Sequence, residues 1–257
     1  MGQFKINRII AFAMLILGII SLVASAFNAS SILAFLGLGL TFWGAILLYI
    51  TPTKHVKLEL LNATAHSALA NIEKVITNAK LNGKGIYLPP KYLKDLESSL
   101  IFIPSKADQL PPKPEEIDEE KLYSEKQKGM FLTPPGVALS KLFEKTLGTS
   151  FTRTRPNYLQ RNLPKLFIKT LKIAEDIDVK TENNTITIEI TNHIFNEICQ
   201  ETRKHQKTSE SIGCPLCSAL ACALAKATGK PITIENEKQS QDGKTTEIQY
   251  RIIEDSK

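Results

Sequence analysis

Cysteine and histidine are both scarce, with four of each in 257 residues. All four cysteines fall between Cys199 and Cys222. That is too few, and too bunched, for the disulfide framework of a secreted protein of this size. Reduced thiols in a cytosolic compartment are therefore expected. The histidines, His55, His66, His193 and His205, share no spacing that suggests catalysis. Glycine-rich phosphate loops, a nucleophile elbow and paired catalytic carboxylates are all missing. Basic residues are not interleaved with aromatics as in a single-stranded nucleic-acid surface. A net charge of +6 is too modest to imply a nucleic-acid partner by itself. No nucleic acid and no cofactor is expected.

Charge is absent altogether from two stretches, Ile9–Phe27 and Ile32–Ile50, each 19 residues long. About 20 apolar residues in a helix cross a bilayer core of about 30 Å. The polar turn Asn28-Ala29-Ser30-Ser31 joins them into a helical hairpin, with the lipid bilayer as its partner. Gly18, Gly37 and Gly39 are expected to allow close helix contact, and Trp43 and Tyr49 to sit at the interface. Lys5 and Arg8 precede the hairpin, Lys54 and Lys57 follow it, and the turn carries no charge. The positive-inside bias then puts both termini in the cytoplasm, in a two-pass cell-membrane protein. Ala24-Ser25-Ala26 resembles a signal-peptidase site, but the second span remains an anchor after any cleavage.

The remainder reads as α+β: a helical connecting region over 54–103, a proline-rich acidic flexible loop over 104–128, and a compact unit over 129–257. Leu58, Leu61, Ala65, Leu69, Ile72 and Ile76 recur at helical period. A short strand at Gly85–Pro90, a short helix at Lys91–Leu100 and a strand at Ile101–Ile103 follow. In the third region a helix is expected over Val137–Leu147. A second follows Asn162, with Leu163, Leu166, Phe167 and Leu171 inward. Thr185–Ile190 alternates as a strand, and Asn192 is placed to cap a helix burying Ile194, Phe195, Ile198 and Cys199. Arg203–Glu210 is a polar connection. A hairpin turning at Asp242-Gly243 closes an antiparallel sheet covered by helices on one face.

The central feature is Cys214–Gly229. Cys214 stands at the cap position, Pro215 in the first turn and Gly229 at the left-handed stop. Between them no charge occurs before Lys226, so the helix is buried all round. Its first residues form Cys214-Pro215-Leu216-Cys217. Three readings stand side by side: small buried cysteines packing a crowded helix, a redox pair at a helix N-terminus, and a zinc knuckle. Packing is preferred, with Cys199 expected on a different stripe and no metal bound. Eight basic residues lie between Lys141 and Lys172 against Glu144 alone. Lys165, Lys169 and Lys172 among them are expected to form a basic face toward anionic lipid.

From about Gly129 the order of elements resembles the 4-vinyl-reductase-like domain, a relative of the TRAPP vesicle-tethering subunits. The residues carrying the likeness are Cys217 to Ala227, Gly229-Lys230-Pro231-Ile232-Thr233-Ile234-Glu235 and Glu247–Ile252. The whole chain is similar to a class of archaeal membrane-anchored proteins. The resemblance implies a domain that holds small apolar ligands or acts as a dimeric sensor or adaptor. The cysteines usual around that family's last hairpin are replaced here by Glu235, Glu237 and Asp242. The expected function is thus a membrane-anchored, non-catalytic binding, sensor or adaptor domain. Its small apolar ligand, or a protein partner, would meet Cys214, Cys217, Leu220, Ala223 and Leu224. A thiol-redox module and a structural subunit of a membrane complex are the alternatives.

Overall fold

The computed structural model describes residues 2–49, 58–94, 98–107, 109–118, 121–124, 126 and 128–254. The chain forms two compact units, divided at residue 58. The first is a helical hairpin, α1 (Gly2–Asn28) and α2 (Ser31–Tyr49). Ile10–Asn28 and Ser31–Tyr49 have mean hydropathies of 2.6 and 2.1 and are long and apolar enough to cross a membrane. Glycine sets the contact. A Cβ on Gly18 would meet Thr41 N at 2.6 Å, and one on Gly44 would meet Leu15 N at 2.9 Å. Gly39, expected at the seam, faces open space. Ser21 Oγ donates across the hairpin to Leu33 O at 3.0 Å. The basic flanks Lys54 and Lys57 lie outside the described residues, as do the side chains of Lys5 and Arg8.

The second unit is α+β. It opens with α3 (Leu58–Asn78), whose Leu69 and Ile76 are buried at the expected period. Next come β1 (Ile86–Tyr87), β2 (Ile101–Pro104), β3 (Tyr123–Ser124) and β4 (Gly129–Leu132). The helices α4 (Val137–Leu147) and α5 (Pro156–Pro164) follow, then the hairpin β5 (Asp176–Glu182) and β6 (Thr185–Thr191). Finally come α6 (Asn196–Lys204), α7 (Gln206–Ser211), α8 (Pro215–Thr228), β7 (Ile232–Gln239) and β8 (Thr245–Ile252). One antiparallel sheet has the order β3-β4-β2-β1-β7-β8-β6-β5. It takes strands from both sides of residue 129.

The inner sheet face carries Tyr87, Ile101, Ile103, Ile186, Ile188, Ile190, Ile248 and Tyr250 into one core with α8. The helices α4 and α5 pack on α8 in turn. On the outer face, Ile86, Phe102 and Phe131 form a second cluster with Tyr92, Leu93 and Ile117. That cluster explains two departures from the sequence reading. Pro90–Tyr92 makes a single 3₁₀ turn instead of a helix, and Leu93 leaves it extended (φ −110°, ψ 152°) to join the cluster. Within 104–128, Pro112 and Ile117 are buried and β3 pairs with β4, so part of this stretch is structured.

Other differences are local. The helix expected after Asn162 starts earlier, with Pro156 in its first turn, and widens into a π-helix over Lys165–Thr170. Pro164 has no N–H for the ladder, and Leu171 N instead reaches Leu166 O at 2.8 Å. Asn192 caps nothing. Its φ is +48°, its amide donates to Glu175 at 2.6 Å, and α6 begins four residues later, leaving Ile194 exposed. The connection after Arg203 contains α7, whose first N–H groups, Lys207 and Thr208, donate to Glu73 at 3.2 and 2.7 Å. The strand β5 is not expected from the sequence; it turns Ile177 and Val179 into the core before the Asn183-Asn184 turn.

Gln206–Thr228 is also apolar enough to cross a membrane, but most of it is buried within the second unit. Here α8 is a core helix. A Cβ on Gly136 would meet Ala219 N at 2.1 Å, and Gly136 N donates to Ser218 Oγ at 3.1 Å. The small side chains let α4 approach.

Candidate functional site

Three of the four sulfurs converge where α6, α8 and β7 meet. Cys199, in the first turn and a half of α6, is disulfide-bonded to Cys214, the N-cap of α8; their Cα atoms are 5.0 Å apart. This corrects two expectations, that the thiols are all reduced and that Cys199 points elsewhere. Cys217 is a free thiol one turn into α8, its Sγ 3.4 Å from Cys214 Sγ. Cys222 is buried apart from the cluster's three sulfurs, at the middle of α8.

A carboxylate completes the group. Cys217 Sγ–H donates to Glu237 Oε2 at 3.3 Å, and Arg203 donates to Glu237 Oε1 through Nε at 3.1 Å and Nη2 at 2.7 Å. Arg203 Nη1 also reaches Gln239 Oε1 at 2.5 Å. Simple alternation from Ile232 and Ile234 turns Glu237 outward. A register shift between Ile234 and Asn236 inserts Glu235 as an extra residue, so Glu237 lies opposite the buried Ile248. A one-residue bulge exchanges the faces of everything beyond it. Arg203 arrives by a simpler route, four residues after Cys199 on one helical face.

Burial, and then the charge of Glu237, push the Cys217 thiol well above its ordinary value. Burial pushes Cys222 up to about 12, although Lys226 acts in the opposite sense. Both are resting thiols at neutral pH. Tyr250 Oη donates to Cys217 O at 3.0 Å, and Tyr87 Oη to Ile212 O at 2.6 Å, fixing the start of α8 on the sheet.

Cys214, Cys217 and Glu237 offer three ligand atoms within 4.8 Å of one another. With Cys199 reduced, four donors of the kinds that zinc takes are at hand. The other residues singled out from the sequence go elsewhere. Leu220, Ala223 and Leu224 are buried in the core around α8. Lys165, Lys169 and Lys172 are exposed. Asp242 fixes the last hairpin turn, accepting from Ser240 Oγ at 2.5 Å and Lys244 N at 3.1 Å.

Fold and site together define an α+β protein with two apolar N-terminal helices and a buried sulfur–carboxylate cluster. Residues 3–251 match the family described as Domain of unknown function (DUF7982), and the chain belongs to that family. No curated protein and no solved structure matches it.

Proposed function

We propose that the protein is a membrane-anchored sensor whose signal is the thiol–disulfide state of Cys199, Cys214 and Cys217. The hairpin anchors it, and the basic flanks in the sequence orient the second unit toward the cytoplasm. The observation that carries the reading is the third sulfur, 3.4 Å from a bonded one. Attack of Cys217 on Cys214 Sγ forms the Cys214–Cys217 bond and releases Cys199 as a thiolate. The Cys217 proton has Glu237 Oε2 as its acceptor and passes on to Cys199. No electrons are gained or lost overall. The consequence is mechanical: α6 is released from the start of α8. The resemblance to the 4-vinyl-reductase-like domain supports a sensor or adaptor role. An apolar ligand has less support, because α8 spends its small side chains on packing.

Peptide mapping of differentially alkylated full-length protein tests this. Protein trapped at acid pH should yield Cys199–Cys214, and incubation at alkaline pH without any reductant should yield the Cys214–Cys217 isomer with the total number of free thiols unchanged. Cys217→Ser should keep the first bond and never form the second. A second reading, that the reduced cluster holds zinc, rests on the inward position of Glu237. About one zinc per chain, together with four free thiols after metal removal at every glutathione potential tested, would overturn the exchange reading in its favour.

A further inference from the structure

The outer helices carry a one-signed surface that the sulfur chemistry leaves unused. Between residues 141 and 172 the only acid is Glu144. Its carboxylate is already engaged by Lys226 Nζ at 2.8 Å, Phe151 N at 2.7 Å and Ser150 Oγ at 3.1 Å. The basic residues of the same stretch face solvent. Lys141 and Lys145 on α4, Arg161 on α5, Lys165 and Lys169 on the π-helix and Lys172 just beyond it are all exposed. None of the six has an acidic partner among the described residues.

Their direction is set by what lies beneath. Phe143, Leu159, Leu163, Leu166 and Phe167 of these same elements are fully buried in the core. The lysines and Arg161 therefore project from the far side of that layer. Lys141, Leu142 and Lys145 span about 100° of the α4 surface. Leu142 is 46% exposed, an apolar side chain amid the charge. A cleft on α4 is lined by Lys141, Lys145, Gly148, Thr149 and Ser150 together with the Glu144–Lys226 pair.

We propose that this face docks on an anionic lipid surface, with lysines meeting headgroup phosphates and Leu142 entering the interface. Charge complementarity selects the sign of the partner, and the same chain supplies the bilayer. Glu59, where the second unit begins, follows the end of α2 at Tyr49 by ten positions. Ten residues reach at most about 35 Å, so the start of the second unit stays within that distance of the end of α2. Basic residues near such a surface add their attractions, which salt then screens. The inference rests on hairpin insertion and not on the thiol exchange.

The test uses the full chain reconstituted into zwitterionic phosphatidylcholine discs and into discs containing phosphatidylglycerol. Successful incorporation into both reports the hairpin separately. Acylation of individual lysines is then followed by mass spectrometry, with the exposed Lys80 and Lys244 as internal references. Lys141, Lys145, Lys165, Lys169 and Lys172 should react at least about threefold more slowly in anionic discs at about 0.1 M salt, and equally in both at about 1 M. The triple variant Lys165→Glu, Lys169→Glu, Lys172→Glu should lose most of the protection at Lys141 and Lys145. Equal rates in the two discs overturn the proposal. So does protection that appears only when a short duplex DNA is added to zwitterionic discs, which would make this a nucleic-acid face.

Discussion

Glu237 shows how one residue's surroundings decide its chemistry. The carboxylate that would accept the Cys217 proton also keeps that thiol protonated at rest, after burial has made the larger contribution. Glu237→Gln should therefore shift the onset of Cys217 alkylation to lower pH, read as iodoacetamide rate against pH. An unchanged profile would show that burial alone sets the thiol. His193 acts in the opposite direction. It is buried, its Nε2 lies 3.2 Å from Thr246 Oγ1, and its Nδ1 has no partner among the described residues. Burial, and secondarily Arg203, lower its pKa from the ordinary 6.5 to about 4. The unfolded chain then binds the proton more readily, so stability is lost as pH falls from 6.5 toward 4. The loss is at most about 3 kcal/mol. Urea midpoints at pH 7 and 4.5 should show it, and His193→Gln should remove most of the difference.

At the scale of elements, α8 organises the second unit because it lets backbone come close. Gly136→Ala places a Cβ against the backbone of Ala219 and should cost about 1–3 kcal/mol by chemical denaturation. A cost below about 0.5 kcal/mol would mean that α4 shifts freely. The far end of α8 is held by Lys226, whose side chain is 4% exposed and pairs with Glu144. Glu144→Gln leaves that cation buried without its counter-charge and weakens the acceptor for Phe151 N. It should cost about 3–5 kcal/mol, and Lys226→Met in the same chain should recover a large part of this. Additive losses in the double variant would show that the pair is not coupled.

For the whole molecule, the hairpin and the folded unit are separate compact units, and the helices of the hairpin are long and apolar enough to cross a membrane. The positive-inside bias predicts that a reporter fused after Lys257 is active only on the cytoplasmic side. Activity of a periplasmic-type reporter at that position would invert the topology. The helix contact within the hairpin should be as specific as its glycines. Gly37→Leu fills a site where a Cβ already meets Leu22 N at 2.8 Å, and should loosen the pair in crosslinking between α1 and α2.

Much of the architecture is dictated locally. Nineteen uncharged residues on either side of a polar turn permit little besides a hairpin of apolar helices. Pro215 and Gly229 bound α8 where the structure has them, and the Thr185–Ile190 alternation buries the isoleucines that it must. These features depend on near neighbours and on the period of the element. The sulfur cluster does not. Cys199 meets Cys214 because α7 turns the chain back, and Glu237 joins them because β7 gains a residue relative to β8. Neither event leaves a periodic mark. The β-bulge reverses the face that alternation assigns, and only pairing with β8 fixes where it falls. The site is therefore a product of register, and register is settled between strands and not within one.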